Sequence, residues 1–288
     1  MSLLWLMLVH AAPGAAPPPI VGGEPVDSGA VVLLVVSNET ADLTAVCSGS
    51  RLDAWTVLTA AHCVLPGGGL EPARVQVVAA ASRNDATGSN TVEAESWSVH
   101  PDYDADSATF DVALLLLAEP SEGETVALLR DAPREGDVGA PLQLVGFGAT
   151  ADADDNENPT RRAASVPLYE FDSASLFTWD PAGEMNACFG DSGGAMFAPD
   201  GKGEPALAGV IGFVSLCEGG SAGGARSDKV LPWLRETVAV EDTTRAPLDD
   251  DTGITSPGEC GCATSGSPHG LAPVALFLRL GRRRNRRR

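Results

Sequence analysis

Between residue 20 and about residue 240 the apolar residues come in runs too short for helices, which constrains the fold more than any other feature. Val31 to Val36, Val75 to Ala81 and Val112 to Leu117 are such runs, bounded by Gly, Pro, Asn and Asp. Short apolar, β-branched stretches between turn signals read as strands. Turn clusters at Pro66 to Gly69 and Arg83 to Asn90 punctuate them, so an all-β fold is expected. One segment departs from this texture. Val230, Leu231, Leu234 and Val238 recur at helical spacing, and a closing helix is expected over 230–240. After Glu241 the composition turns to Asp, Thr, Pro, Gly and Ser, so residues 242–258 read as a disordered linker. A length of 288 residues suits one large domain or two smaller ones.

The formal net charge of -20 conceals an asymmetry. Seven of the 19 basic residues lie between Arg279 and Arg288, leaving the body with 39 acids against 12 bases. Such a body repels nucleic acid, and no nucleic-acid partner is expected. The acidic stretch Asp152 to Glu157 lacks the ligand spacing of a calcium loop and reads as polar surface; no metal or cofactor is expected. Six cysteines fall into three separated groups, Cys47 with Cys63, Cys188 with Cys217, and Cys260 with Cys262. An even number at wide spacing suits disulfides in an oxidising compartment better than a zinc site. Leu3 to Val9 followed by small residues resembles a signal peptide without its usual basic start, and residues 1–19 are expected to be signal peptide and short pro-segment. The run is too short to span a membrane.

Three segments carry chemistry. In Leu58 to Cys63 (LTAAHC) the histidine, taken alone, reads better as a buried structural group. In Phe110 to Leu117 (FDVALLLL) Asp111 opens an apolar strand, as a turn residue or as a buried acid with a specific partner. Cys188 to Gly194 (CFGDSGG) is more specific, because glycines flanking a serine permit tight turns that aim N–H groups inward, as an oxyanion hole requires. A serine hydroxyl needs a nearby base, itself oriented by a third group, and His62 and Asp111 are available.

With IVGG at Ile20 to Gly23, these segments occur in the order and approximate spacing of the trypsin-like serine proteases, which the chain resembles over about residues 20–240. The resemblance implies two packed antiparallel six-stranded β-barrels, over about 20–130 and 131–229, with the active site in the cleft between them. It also implies Ser192 as nucleophile, His62 as general base and acid, and Asp111 as the carboxylate that fixes the imidazole. The N–H groups of Gly190 and Ser192 would form the oxyanion hole. Cys47 would bridge to Cys63 and Cys188 to Cys217, and a freed Ile20 ammonium would pair with Asp191 on activation. Pro19 precedes Ile20, so this bond is closed to a cut after Lys or Arg. Where the family has Ser-Trp-Gly beside the cleft, this chain has Gly212, Phe213 and Val214, which leaves Asp111 short of one hydrogen bond. The implied specificity pocket has Asn186 at its base, where trypsins place an aspartate, and Phe213, Val214 and Ala225 on its walls. That pattern resembles elastase-like members and predicts a preference for small aliphatic side chains, in a monomer acting on proteins or peptides.

Residues 259–288 resemble the C-terminal sorting signals of surface-anchored bacterial proteins, of the myxobacterial type: Gly-Cys, an apolar run and terminal arginines. The resemblance implies anchoring near Cys260 or Cys262 at the outer membrane or cell surface. A signal peptidase and a C-terminal sorting peptidase would be the processing partners. The rival expectation is a surface-displayed pseudoprotease that binds without cutting.

Overall fold

The computed structural model describes residues 20–39, 44–65, 72–154 and 156–245. The leader, the linker beyond residue 245 and the tail with Cys260 and Cys262 lie outside the described residues. After the two-residue β1 (Glu24–Pro25), six strands close a barrel: β2 (Val31–Ser37), β3 (Thr44–Arg51), β4 (Thr56–Thr59), β5 (Arg74–Val78), β6 (Thr91–Val99) and β7 (Ala113–Leu117). Their order around it is β2-β3-β4-β7-β6-β5, all antiparallel. The chain continues through β8 (Leu128–Leu129), β9 (Pro141–Gly146), β10 (Arg162–Phe171), β11 (Ser175–Trp179), β12 (Ala195–Pro199), β13 (Pro205–Val214) and β14 (Ser221–Arg226). Helix α1 (Ser227–Thr237) and β15 (Asp242–Thr243) follow. Because β12 pairs with both β9 and β13, six of these strands close a second antiparallel barrel, β9-β10-β11-β14-β13-β12.

The unbroken apolar run of β2 has a physical cause. Val32, Leu34 and Val36 point into the first barrel with Val57, Val77 and Leu115. Val31 and Leu33 face the other way, onto Val145, Phe147, Leu207 and Leu231. A strand buried on both faces has no polar side, so alternation disappears. That second cluster draws on both barrels and on Val230, Leu231 and Leu234 of α1, and so fills the seam beneath the cleft. Truncating a fully buried seam residue such as Leu33 or Leu58 to Ala is expected to cost about 2–5 kcal/mol.

Several boundaries move. Residues 20–130 do not all serve the first barrel: β1 pairs with β10, and β8 runs parallel to β13 and β15 in the second sheet. The helix spans 227–237, not 230–240. Its first turn is polar, and Asp228 pairs there with Arg226, placing a carboxylate at the positive end of the helix. Val238 keeps the apolar spacing but is extended, and only its N–H still reaches the Leu234 carbonyl. The expected linker loses its first residues to the fold. Asp242 and Thr243 pair with β8, Asp242 bridges Arg130 and Arg235, and the Arg245 N–H donates to Asp131.

Candidate active site

The first barrel supplies a histidine and an acid. β4 ends at Thr59, and the single 3-10 turn Ala61–Cys63 pushes His62 outward, leaving its side chain 37% exposed. One turn cannot hold itself in place, and here a disulfide from Cys63 to Cys47 on β3 anchors it. Asp111 lies just before β7 and is buried. Its Oδ1 accepts the His62 backbone N–H at 2.9 Å and its Oδ2 the ring Nδ1–H at 2.6 Å. A neutral imidazole that donates through Nδ1 keeps its Nε2 lone pair for another proton. The Cys47, His62, Cys63 cluster has no thiolate to offer a metal, because both sulfurs are spent in the disulfide.

The second barrel supplies the serine. Gly190 and Gly193 have φ of +102° and +83° on either side of Ser192, and a Cβ on Gly193 would strike the Ser48 carbonyl and the Thr59 hydroxyl. Only glycine fits there. The turn is tied to both barrels. The Ser192 carbonyl accepts the Ser48 N–H at 2.8 Å, and the Gly193 N–H donates to Ile211 on β13 at 2.7 Å. The Ser48 hydroxyl donates to the Gly190 carbonyl and accepts the Phe147 N–H, both at 2.9 Å. Histidine and serine meet at the disulfide, where Cys63 Sγ is 3.8 Å from His62 Nε2 and from the Ser192 carbonyl oxygen. Among the described residues no hydrogen bond within 3.5 Å joins Ser192 Oγ to the imidazole; such bonds commonly tighten only when substrate is bound.

Next to the serine, Asp191 is fully buried, its carboxylate accepting N–H groups from Gly148 at 2.7 Å and Cys188 at 2.8 Å. A Cβ on Gly146 or Gly148 would collide with it. Burial raises its pKa to about 7 against the pull of those two donors. Ile20 is buried in the second barrel's core, and Val21 bridges to Asn186, whose N–H donates to the Val21 carbonyl at 3.2 Å.

A seam between two six-stranded barrels, with a buried Asp–His pair on one side and a glycine-framed serine on the other, is matched by the sequence profile described as Trypsin, over residues 20–234. The chain belongs to the trypsin family. It is 31% identical to a trypsin of Saccharopolyspora erythraea over 196 residues, covering 62% of this chain and 81% of that protein. It is 29% identical to the fibrinolytic enzyme isozyme C of Lumbricus rubellus over 176 residues, 54% of this chain and 71% of that one. It is also 27% identical to glucanase inhibitor protein 3 of Phytophthora infestans over 238 residues, 75% of this chain and 86% of that one.

In this trypsin-family chain Ala225 lies away from the other residues expected to line a specificity pocket. Asn186 is buried, its Nδ2 donates to the Leu216 carbonyl at 2.8 Å, and its Oδ1 has no protein partner among the described residues. The Cys188–Cys217 disulfide ties together the two segments that run from Asn186 and from Val214. Ala225 does not stand opposite Val214. A bulge between Ile211 and Phe213 shifts the register, so Val214 faces Ala222 and Phe213 faces Gly223, while Ala225 pairs with Val210 and packs into the seam. The Phe213 ring lies over Gly223, where any added Cβ would collide with it, and meets Phe177 edge-on at 5.9 Å. Gly212 does face Asp111: a Cβ there would lie 3.1 Å from Oδ2, so the missing serine is missing at the contact itself. Sequence reasoning passed over Ser48 and Gly223. Ser48 carries a readable signal, being a small polar residue next to Cys47 in an apolar strand.

Proposed function

We propose that the chain is an exported serine endopeptidase working through an acyl-enzyme. The observation that carries this reading is the double hydrogen bond by which buried Asp111 holds His62, at the seam where the glycine turn presents Ser192. Ser192 attacks the scissile carbonyl, and His62 takes the serine proton and returns it to the leaving amine. Asp111 stabilises the imidazolium, and the N–H groups of Gly190 and Ser192 receive the oxyanion. Ile20, once freed by leader removal and trimming, offers Asp191 an ammonium. Asn186 carries no charge to neutralise a lysine or arginine, and Val214 with the inward-lying Phe213 narrows the slot, which favours Ala or Val before the cut. The tail after Glu259 supports surface anchoring through Cys260 or Cys262 and loss of the arginine cluster.

A binding module is the second reading. Gly212 withdraws a donor from Asp111, and two similar proteins from Phytophthora infestans are named glucanase inhibitors. Ser192→Ala decides between them. For an endopeptidase, turnover of a small-aliphatic peptide series falls by about 10⁶ with the fold intact. Retention of more than about a tenth of the activity removes Ser192 from the role.

A further inference from the structure

Among the described residues the Asp111 carboxylate draws its hydrogen bonds from His62 alone, and across the seam it faces the bare Cα of Gly212. Its placement therefore falls to the backbone at residues 110–112, and that backbone is strained. Phe110 has φ +53°, the left-handed region that a bulky L side chain rarely adopts. The Val112 N–H folds back onto the Phe110 carbonyl at 2.7 Å, and the His100 N–H donates to the Val112 carbonyl at 3.0 Å.

Three rings pack together at this backbone. The Phe110 ring lies parallel to the His100 imidazole, with centroids 4.6 Å apart and planes 5° from parallel. Trp233, on α1, meets the same imidazole edge-on at 5.0 Å. His100 is only 6% exposed, and burial holds its pKa below the ordinary value against the opposing pull of Asp102. It therefore stacks as a neutral ring. Its Nδ1 accepts the Asp102 N–H at 3.2 Å, which fixes the ring's orientation.

We infer that Phe110, His100 and Trp233 are positioning residues, a three-ring clamp that holds the strained Phe110 backbone so that Asp111 meets His62. The chain is thereby braced from the far end, with the C-terminal helix setting the geometry of a catalytic pair in the first barrel. The kinetic consequence rests on the peptidase reading; the geometric one does not.

The test uses the full chain and reads the Nδ1–H proton shared by His62 and Asp111 as a far-downfield proton NMR resonance. Phe110→Leu and Trp233→Leu keep apolar bulk but remove a ring, whereas Phe110→Tyr keeps it. The two leucine variants are expected to lose or shift the resonance while circular dichroism and cooperative unfolding persist, and Phe110→Tyr to retain it. In active enzyme, Phe110→Leu is expected to lower kcat roughly tenfold or more with KM nearly unchanged, the signature of misplacement rather than weaker binding. Folded Phe110→Leu with both resonance and kcat unchanged overturns the clamp. Should that variant fail to fold, Trp233→Leu, which alters the outermost ring, decides by the same readouts. A resonance that follows the rings in a wild-type chain that cuts no peptide sinks the peptidase reading and leaves the clamp standing. Hydrolysis with a resonance indifferent to the rings does the reverse.

Discussion

The two halves of the site are held by different physics. His62 and Asp111 sit on first-barrel segments fixed by a disulfide and a stack of neutral rings, with the carboxylate already paired to its histidine. Ser192 sits in a glycine turn whose inner support is Asp191, a wholly buried carboxylate answered by two backbone N–H groups. The disulfide carries no charge, and burial keeps the His100 ring of the stack neutral to lower pH than a free imidazole. Asp191, with no cation against it among the described residues, is a buried carboxylate whose ionisation is costly until a positive charge arrives. The His62–Asp111 pair is thus already made in the fold, whereas the Asp191 half is the one that the proposed Ile20 ammonium would change.

Asp111→Asn attacks the finished half. The amide cannot hold the Nδ1–H tautomer, and turnover is expected to fall about 10⁴-fold without loss of fold. A drop of less than about tenfold in steady-state assays would mean that Asp111 is a structural acid only.

Asp191→Asn attacks the conditional half, and its sign follows from the raised pKa. In the unfolded chain the carboxyl titrates near the ordinary 3.8, while in the fold it titrates at about 7. Below about pH 4 both states hold the proton; as pH rises toward 7 only the unfolded state releases it, so stability is lost across that window. The ceiling is on the order of 4 kcal/mol. With Ile20 still amide-linked to Pro19, urea melts should show Asp191→Asn gaining on wild type between pH 4 and 7. A constant difference between the two would break the contrast drawn between the halves.

Replacing Cys47 and Cys63 together by Ser opens a link of sequence separation 16 and is expected to cost about 3 kcal/mol by loop entropy. The thermal midpoint falls, read in melts followed by circular dichroism. The smallest effect belongs to the pocket. Val214→Gly should raise kcat/KM for larger side chains before the cut by roughly tenfold, read with a fluorogenic series varying that residue. Fastest wild-type cleavage after Arg or Phe would show that the slot is not narrow.

Much of this was legible before any coordinates. The unbroken VVLLVV of β2 and the glycines around Ser192 report local requirements, burial on both faces and positive φ, that a sequence states directly. What stayed hidden depends on partners distant in the chain. Period-two reasoning could not locate the bulge beside Gly212, whose one-residue slip brought Gly223 under Phe213 and Ala222 opposite Val214, while Ala225 pairs with Val210 ahead of the bulge and so belongs to the seam. Nor does an apolar residue before an aspartate announce that its φ is +53°, since the rings that tolerate it come from residue 100 and from a helix more than 100 residues later. The polar first turn of α1 was invisible because periodicity counts apolar faces, whereas Ser227 is held by distant Leu129 and Asp228 by its near neighbour Arg226.

The central claim, that Ser192 is a nucleophile activated by His62, is open to one direct measurement. Chain beginning at Ile20 is incubated with a serine-directed fluorophosphonate, and the labelled peptide is located by mass spectrometry. A single adduct on Ser192, abolished by His62→Ala and by Ser192→Ala, is the expected result. Absence of an adduct on folded, Ile20-started protein, or labelling that survives His62→Ala, would contradict it.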